Sequence, residues 1–393
     1  MPTIAKIFLT LLALPAVISS LYLLLLTLLS ARPKLPLAST GQLCFDIIVP
    51  AHNEEAGIAN TVKSLLAVDW ARERFRIKVV ADNCSDATAQ CAAEAGASVL
   101  VRENVESRGK GYALLHAFEV CMAEGWADAL VVVDADSEVS ANLLEAFAAR
   151  LEQGESAVQV HYGVRNPTDS WRTLLIAVAK GAFHIVRSRA RERLGLSCGI
   201  RGNGWCVTTK LLRDVPYRAF SLTEDVEYGI ALGWAGRRVA YADEAHTNGD
   251  MVSKATIARV QRQRWEAGRF EMVRKFCLPL MKNGIATKNA VRTDLAMDLL
   301  VLPLSYGVLN ILLLIIAGLL LQRVDPDARY AVWVGLACLI AIAAHVLRGW
   351  QVSGTGRRGL SALLHVPGYM IWKIWTVLGR RTTGWVRTER EIK

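Results

Sequence analysis

Three apolar stretches of membrane-spanning length flank a charged central region, and this arrangement constrains the fold more than any other feature of the sequence. The stretches cover residues 7–29, 297–321 and 329–347 of a 393-residue chain. About 20 apolar residues are enough for a helix to cross a bilayer. The sequence therefore predicts a membrane-anchored globular protein rather than a transporter with many spans.

The apolar stretches also predict a topology. Residues 1–34 are expected to form an uncleaved N-terminal anchor, with a cleaved signal peptide as the alternative. Residues 294–348 are expected to form a transmembrane hairpin with helices at 295–321 and 331–346. Basic residues follow the first stretch and the second hairpin helix, whereas the turn at 322–329 carries both signs. The positive-inside rule then places the central domain on the cytosolic side.

The remaining C-terminal residues, 349–393, are predicted to form an interfacial helix over 360–378 and a basic cytosolic tail. The whole chain carries a formal net charge of +10. Nucleic-acid binding is one explanation of this charge. Because of the membrane spans, an anionic membrane surface and a diphosphate substrate explain it better. None of the eight cysteines forms a C-x-x-C pair, which argues against a zinc site.

Strand-like and helix-like segments alternate through the central region. Strands are predicted at 44–50, 76–81, 98–101 and 129–133, with helices at 59–68, 88–95 and 112–124 between them. Such alternation is typical of a parallel sheet covered by helices, which is an α/β fold. Pro50, Asp82 and Asp134 lie at predicted carboxyl ends of strands, where sheets of this kind bind ligands. We therefore expect these residues to meet in one crevice.

Two carboxylates, Asp134 and Asp136, follow the last of these strands with one residue between them. Two such charges after a buried strand are costly unless something positive lies between them. Mg²⁺ or Mn²⁺ is the natural partner, because hard cations prefer oxygen ligands. A turn or helix cap is the alternative role for each of these acidic residues.

Two further motifs lie downstream. Asp225, in the run Thr223-Glu224-Asp225, is either a general base or the cap of a helix predicted at 226–232. Gln261 and Trp265 share one face of a basic helix predicted at 257–276, which also carries Arg264. A Trp face suits a sugar ring and an Arg suits a phosphate, although a membrane-surface helix explains the same pattern.

Taken in order, these motifs closely resemble the family-two inverting glycosyltransferases of the GT-A fold. The resemblance covers residues 47–265 and is carried by the runs at 50–55, 82–86, 108–111, 134–136, 202–206 and 220–225 and by the Gln261, Arg264 and Trp265 set. The last two runs are most similar to bacterial exopolysaccharide enzymes related to cellulose synthase. The resemblance implies a Rossmann-like GT-A catalytic domain at 43–250, followed by amphipathic interfacial helices at 251–293.

The resemblance also implies roles for individual residues. Asp225 is expected to be the catalytic base, with Glu224 orienting the loop or the acceptor. The remaining roles fall into three groups: donor binding by Pro50, His52, Glu54, Asp82, Lys110 and Asp134; metal binding by Asp136 and Asp134; and acceptor or diphosphate binding by Asn203, Trp205, Gln261, Arg264 and Trp265. A surface lysine is the alternative for Lys110, and a purely structural turn is the alternative for Asn203 and Trp205.

Three clear spans are too few for an obvious polymer pore in a single chain. We therefore expect one sugar to be moved from a nucleotide-sugar, by resemblance a UDP-sugar, to a membrane lipid or lipid-linked oligosaccharide at the bacterial inner membrane, in envelope or exopolysaccharide biosynthesis. A processive polysaccharide synthase, acting as a homo-oligomer or with polysaccharide-assembly partners, is the first alternative. A sugar-phosphate nucleotidyltransferase is the second, and a catalytically silent scaffold is a further possibility.

Overall fold

The computed structural model describes residues 3–251 and 255–370. Within the helix that begins at Ala255, the side chains of residues 255–262 and of Arg264 lie outside the description, as does the side chain of Thr3. The predicted site residues Gln261 and Arg264, part of the predicted interfacial helix at 360–378 and most of the basic tail therefore fall outside the described residues.

One mixed sheet forms the centre of the globular domain. Its strands, all within the described residues, are β1 Phe45–Ala51, β2 Phe75–Asp82, β3 Ser98–Arg102, β4 Ala129–Val132, β5 Ser137–Val139, β6 Ala157–Val164, β7 Trp205–Thr208 and β8 Ala240–Gly249. They are ordered β3-β2-β1-β4-β7-β6-β8-β5. Strands β1 to β4 are parallel, as predicted, whereas β7 runs antiparallel to both β4 and β6.

Helices cover both faces of the sheet and continue into the apolar segments. In chain order they are α1 Thr3–Leu28, α2 Ile58–Leu66, α3 Thr88–Glu94, α4 Lys110–Glu124, α5 Leu143–Glu152, α6 Trp171–Lys180, α7 Arg187–Arg193, α8 Thr209–Asp214, α9 Glu224–Trp234, α10 Ala255–Ala286, α11 Ala290–Leu300, α12 Leu304–Leu321, α13 Arg329–Val352 and α14 Gly356–Ala362. Short 3₁₀ turns lie at Arg72–Arg74, Pro326–Ala328 and Leu363–His365.

Strand β1 is buried because helices cover both of its faces. Ile47 and Val49 face one apolar cluster, while Ile48 faces the other. The one charge in the strand, Asp46, is fully buried and accepts two hydrogen bonds from Arg76, at 2.7 and 2.8 Å. A buried carboxylate needs such a partner, since an unpaired charge in the core is strongly destabilising. The strand thus projects its carboxyl end from a rigid core.

Three helical segments in the described residues are long and apolar enough to cross a membrane: Ile4–Leu28, Leu304–Leu321 and Pro326–Val352. They pack on one another through apolar side chains that include Leu23, Ile311 and Ile342. The first and third segments agree with the sequence prediction in position. The structure therefore joins the N-terminal anchor and the hairpin into one group of helices.

The predicted hairpin helix at 295–321 is wrong in its first part. Residues up to Leu300 belong to α11, and the next helix begins only at Leu304, after Pro303. Leu295 and Leu299 are buried against Met272 of α10 and Ile230 of α9, so these two helices cover their apolar surface. Apolar composition alone could not distinguish this buried helix from the start of a span.

The helical region that begins at Trp171 is interrupted. Helix α6 is followed by a π-helical segment, Gly181–Val186, and then by α7. A Cβ atom on Gly181 would lie 2.3 Å from the carbonyl oxygen of Gly349 in α13, so the two backbones cross almost in contact. This crossing fixes the π-helical segment against a helix that is long and apolar enough to cross a membrane.

Candidate active site

A cavity of about 1160 Å³ opens at the carboxyl ends of β1, β2 and β4. It also reaches the first turn of α9 and one face of α6. Most of the residues singled out from the sequence line it together: Pro50, His52, Glu54, Asp82, Lys110, Asp134, Asp136, Glu224, Asp225 and Trp265. The convergence of separate strand ends, predicted from the sequence, is therefore present in the structure.

At one end of the cavity, Asp82 is held at the end of β2. It is only 6% exposed and accepts a 2.5 Å hydrogen bond from the Arg102 guanidinium. His52 Nδ1 lies 2.7 Å from the carbonyl oxygen of Asp82, and the Glu54 N–H donates to Thr88 Oγ1. These contacts fix the β1 and β2 loops relative to each other. The Asp82 carboxylate remains at the cavity wall.

Lys110 lies between the acidic groups of the site. Its ammonium donates to Asp134 Oδ1 at 2.5 Å and to the Gly202 carbonyl at 2.6 Å, and lies 3.7 Å from Glu224 Oε1. Although burial opposes the charged form, Asp134 and Glu224 outweigh it and raise the pKa of Lys110 above its ordinary value. The lysine therefore stays protonated at neutral pH. It is a structural part of the acidic centre and not a solvated surface side chain.

The Asp134 and Asp136 carboxylates present hard oxygen donors in the cavity. The loop that carries them is held by Asn203, whose Oδ1 accepts from the Asp134 N–H at 3.0 Å and whose Nδ2 donates to Ser137 Oγ at 2.7 Å. Within the described residues, no three acidic, His or Cys side chains cluster as a metal site. Two carboxylates fit Mg²⁺ or Mn²⁺ if a bound diphosphate supplies further oxygen ligands.

Glu224 and Asp225 occupy the first turn of α9 and share one buried environment. Burial raises the pKa of Glu224 to about 7, with Lys110 opposing and Asp225 reinforcing the increase. Burial likewise raises the pKa of Asp225, although Lys110 and the hydrogen bond to the Val226 backbone lower it. A helix N-terminus favours negative charge, so desolvation outweighs the helix dipole here. Two coupled carboxyl groups with raised pKa values suit proton transfer.

A glycine allows the Asp225 carboxylate to reach this position. Gly202 has φ +85°, which side-chain-bearing residues rarely adopt, and a Cβ there would lie 3.2 Å from Asp225 Oδ2. The same glycine presents its carbonyl to Lys110. The run at 202–206 therefore shapes the acidic centre by its backbone.

Helix α10 lies directly against the start of α9. A Cβ atom on Gly268 would lie 2.8 Å from Thr223 Oγ1, so the helix approaches the acidic turn closely. Trp265, one turn earlier in α10, lines the cavity and is 40% exposed. Its ring is therefore available to a ligand, whereas the side chains of Gln261 and Arg264 in the same motif are outside the described residues.

Asn203 and Trp205 do not line the cavity. Asn203 is fully buried and holds the loop of Asp134, and Trp205 is buried against Phe118 and Tyr228. Their contacts match the structural alternative for this segment. Sequence reasoning did not single out five cations that line the cavity, namely Arg165, Arg172, Lys180, Arg201 and Arg269. Only the basic composition of the chain could have indicated them, since no motif contains them.

Curated relatives of the chain include lipid glycosyltransferases. The chain is 25% identical over 257 residues to the beta-monoglucosyldiacylglycerol synthase of Trichormus variabilis, covering 63% of this chain and 54% of that protein. It is 25% identical to the enzyme of the same name from Synechocystis, covering 87% of this chain and 68% of that protein. The chain thus spans about half the length of the first of these relatives.

The fold also matches a solved structure over almost its whole length. The mannosyltransferase PcManGT of Pyrobaculum calidifontis, solved with GDP-Man and Mn²⁺, superposes with a TM-score of 0.53 at 17% identity and covers 95% of this chain and 94% of that chain. The family model described as "Glycosyltransferase like family 2" matches residues 42–268, which is more than half of the sequence. The chain therefore belongs to glycosyltransferase family 2, and its central domain has the GT-A fold.

Proposed function

We propose that the chain moves one sugar from a UDP-sugar to a hydroxyl group of a membrane lipid or lipid-linked saccharide, with inversion at the anomeric carbon. One observation carries the proposal. Asp82, Asp136 and Asp225 come from three separate segments and line one cavity, in a chain that also has three helical segments long and apolar enough to cross a membrane. The lipid glycosyltransferases among its relatives support a lipid acceptor.

Asp225 is the proposed general base. It takes the proton of the acceptor hydroxyl while that oxygen forms its bond to the anomeric carbon. The bond from that carbon to the diphosphate oxygen breaks, and the nucleoside diphosphate leaves with the electron pair. Glu224 shares the buried environment, and Lys110 links it to Asp134. Lys110 thereby fixes the position of the first turn of α9 relative to the loop that follows β4.

The donor is proposed to lie along the strand ends. Glu54 and Asp82 accept hydrogen bonds from the base and ribose, within the loop that also contains Pro50 and His52. Asp134 and Asp136 would hold Mg²⁺ or Mn²⁺ together with the diphosphate. Such a metal supplies electrostatic stabilisation of the departing diphosphate. Trp265 offers a flat surface to a sugar ring, and Gln261 and Arg264 remain proposed acceptor or diphosphate contacts.

We place the reaction at the cytosolic face of the bacterial inner membrane, in envelope or exopolysaccharide biosynthesis. The domain boundaries predicted from the sequence stay part of this proposal, except that the hairpin starts at Leu304. Membership of the glycosyltransferase family argues against the nucleotidyltransferase alternative and the silent scaffold. The processive alternative remains a defined outcome of the test below.

The test is product analysis with the full-length chain in bacterial membranes. We expect one UDP-sugar from a nucleotide-sugar panel to release UDP and to yield a lipid that is heavier by one hexose. A series of products that differ by one sugar each would show that the enzyme polymerises sugars and does not stop after one transfer. Release of pyrophosphate, or failure of every donor to release its nucleoside diphosphate, would contradict the proposal. The variant Asp225→Asn serves as the control for background hydrolysis.

A further inference from the structure

The cavity is larger than one donor requires. Ligand pockets typically measure roughly 300–1,000 Å³, whereas this cavity measures about 1160 Å³. The acidic strand ends form one part of its wall. A second part consists of α6, the π-helical segment and the cations Lys180, Arg201 and Arg269. This second part has a different chemistry, and its helical segments pack against α13.

Two adjacent rows of side chains project into the cavity from α6 and the π-helical segment. Leu175, Ala179 and Phe183 form one row at four-residue spacing and are apolar. The neighbouring row is Ile176, Lys180 and His184, with the same spacing. The π-helical segment is docked on α13 through the Gly181 and Gly349 crossing. The apolar row therefore lines the cavity close to the point where the π-helical segment crosses the last turns of α13.

Lys180 is a buried cation that has no acidic partner within ion-pair distance in the described part of the chain. The residue is 8% exposed. The ammonium donates to the Gly163 carbonyl at 3.1 Å and lies 3.1 Å from the centre of the Tyr162 ring. A carbonyl and an aromatic ring compensate a buried ammonium only in part. Burial lowers the pKa of Lys180 to about 7, against the opposing effect of Asp136 and Asp134, so an anionic ligand beside the ammonium would favour its charged form.

Arg201 is in a similar position. It is 8% exposed, and its guanidinium carbon lies 4.3 Å from the centre of the Phe183 ring. Its nearest carboxylate oxygen, on Asp298, is 3.7 Å away. Arg201 Nε has no hydrogen-bond partner among the described residues. A buried donor without a partner is costly, so the site is incomplete without an acceptor.

The charged residues on the side of Arg201 away from the cavity do not neutralise it. Asp294 and Asp298 are shared by Arg187, Arg191 and Arg201, and Arg269 donates to the backbone carbonyls of Asp298 and Val301. This cluster therefore has four cations and two anions, an excess of two positive charges. Because Arg201 and Arg269 both line the cavity, the excess faces the ligand space.

We propose that this wall binds an anionic amphiphile, with a phosphate group at Lys180 and Arg201 and its apolar chain along Leu175, Ala179 and Phe183. The proposal rests on the proposed function and specifies its acceptor as a lipid with a phosphate-bearing headgroup. The phosphate is a recognition element. The attacking group remains a hydroxyl placed toward Asp225.

The test uses the full-length chain in a neutral detergent and measures the binding of dodecyl phosphate, dodecanol, inorganic phosphate and UDP. We expect dodecyl phosphate to bind about tenfold or more tightly than either dodecanol or inorganic phosphate, since a charge-assisted contact and a chain are both used. Lys180→Met and Arg201→Gln should each weaken dodecyl phosphate roughly tenfold and leave UDP binding unchanged.

Matched controls lie on the exposed surface of α8. Lys210→Met and Arg213→Gln remove the same charges outside the cavity and should leave dodecyl phosphate binding unchanged. Arg201→Lys should restore part of the binding. If Arg201→Gln unfolds, the binding of dodecyl phosphate to Lys180→Met and Arg201→Lys still tests whether these cations hold the phosphate group.

Several results would overturn the proposal. Equal binding of dodecanol would show a purely apolar site, and equal binding of inorganic phosphate would show an anion site without a lipid path. A loss of UDP binding as large as the loss of dodecyl phosphate would assign the cations to the donor. By contrast, selective binding of dodecyl phosphate without sugar transfer from any donor would contradict the proposed function and leave this site standing.

Discussion

At the residue scale, the acidic centre depends on a balance between burial and one lysine. Burial raises the pKa values of Glu224 and Asp225, and Lys110 lowers both. The sequence predicted the two acidic residues from their motif. It could not predict that Lys110 contacts Asp134 and Glu224, because these residues lie far apart in the chain.

The first prediction concerns the proposed base. Asp225→Asn should lower the transfer rate at least about 100-fold, because general-base catalysis contributes roughly 10²–10⁴-fold. Binding of the nucleotide should be retained, since the cavity residues at the ends of β1 and β2 are untouched. Steady-state rates and calorimetric titration with UDP measure the two quantities. Full activity in the variant would remove Asp225 from the role of base.

The second prediction is a pH dependence with a defined sign. A base must be deprotonated, so the rate should rise with pH and level off above the raised pKa values of the Glu224 and Asp225 pair. Glu224→Gln removes a neighbouring negative charge and should move the rise to lower pH. A rate profile that stays in place would show that the two groups do not titrate together.

The third prediction is the opposite shift. Lys110→Met removes the cation that lowers both pKa values, so the rise in rate should move to higher pH. The variant should also lose activity at its optimum, because Asp134 loses its 2.5 Å hydrogen bond. Surface variant Lys210→Met is the matched control. A shift toward lower pH would contradict the electrostatic account of the site.

At the scale of elements, the sequence predicted the parallel half of the sheet well and the rest poorly. Strands β1 to β4 have strong apolar runs and alternate with helices, so their order follows from simple rules. Strands β5 and β7 have only three and four residues, and their pairing partners are distant in sequence. Short segments of this kind are defined by tertiary contacts and not by local pattern.

The fourth prediction concerns the crossing of the π-helical segment and α13. Gly181→Ala should destabilise the protein by about 1–3 kcal/mol, because a Cβ would meet the Gly349 carbonyl at 2.3 Å. Gly307→Ala in α12, where a Cβ would meet nothing within 4 Å, is the matched control. Thermal unfolding in detergent measures both. Equal stability of the two variants would mean that this crossing is not tightly packed.

At the scale of the whole molecule, the membrane anchor and the catalytic domain are joined by buried charges. The Tyr22 hydroxyl, on α1, donates to Asp294 Oδ1 at 2.7 Å and accepts from Arg191 at 2.6 Å. Arg191 also pairs with Asp298, where burial alone would raise the pKa but the neighbouring arginines lower it well below its ordinary value. Helix α1 is thus held to α7 and α11 by buried hydrogen bonds and ion pairs.

The fifth prediction follows from this attachment. Tyr22→Phe should lower the free energy of unfolding by about 1–3 kcal/mol, because buried Asp294 and Arg191 each lose a hydrogen bond. Tyr330→Phe, at a residue that is 38% exposed, should have little effect. Denaturant unfolding in detergent measures the free energy of unfolding of both variants. An unchanged Tyr22 variant would show that α1 is held by apolar contacts alone.

The central claim is that acidic side chains from separate strand ends form one metal and nucleotide site, and calorimetric titration of UDP with and without Mn²⁺ tests it most directly. We expect UDP to bind the wild type and Asp225→Asn equally in the presence of Mn²⁺. Binding should be at least about tenfold weaker without the metal and in Asp136→Asn, as the loss of a charge-assisted contact requires. Equal affinity in all of these cases would contradict the account.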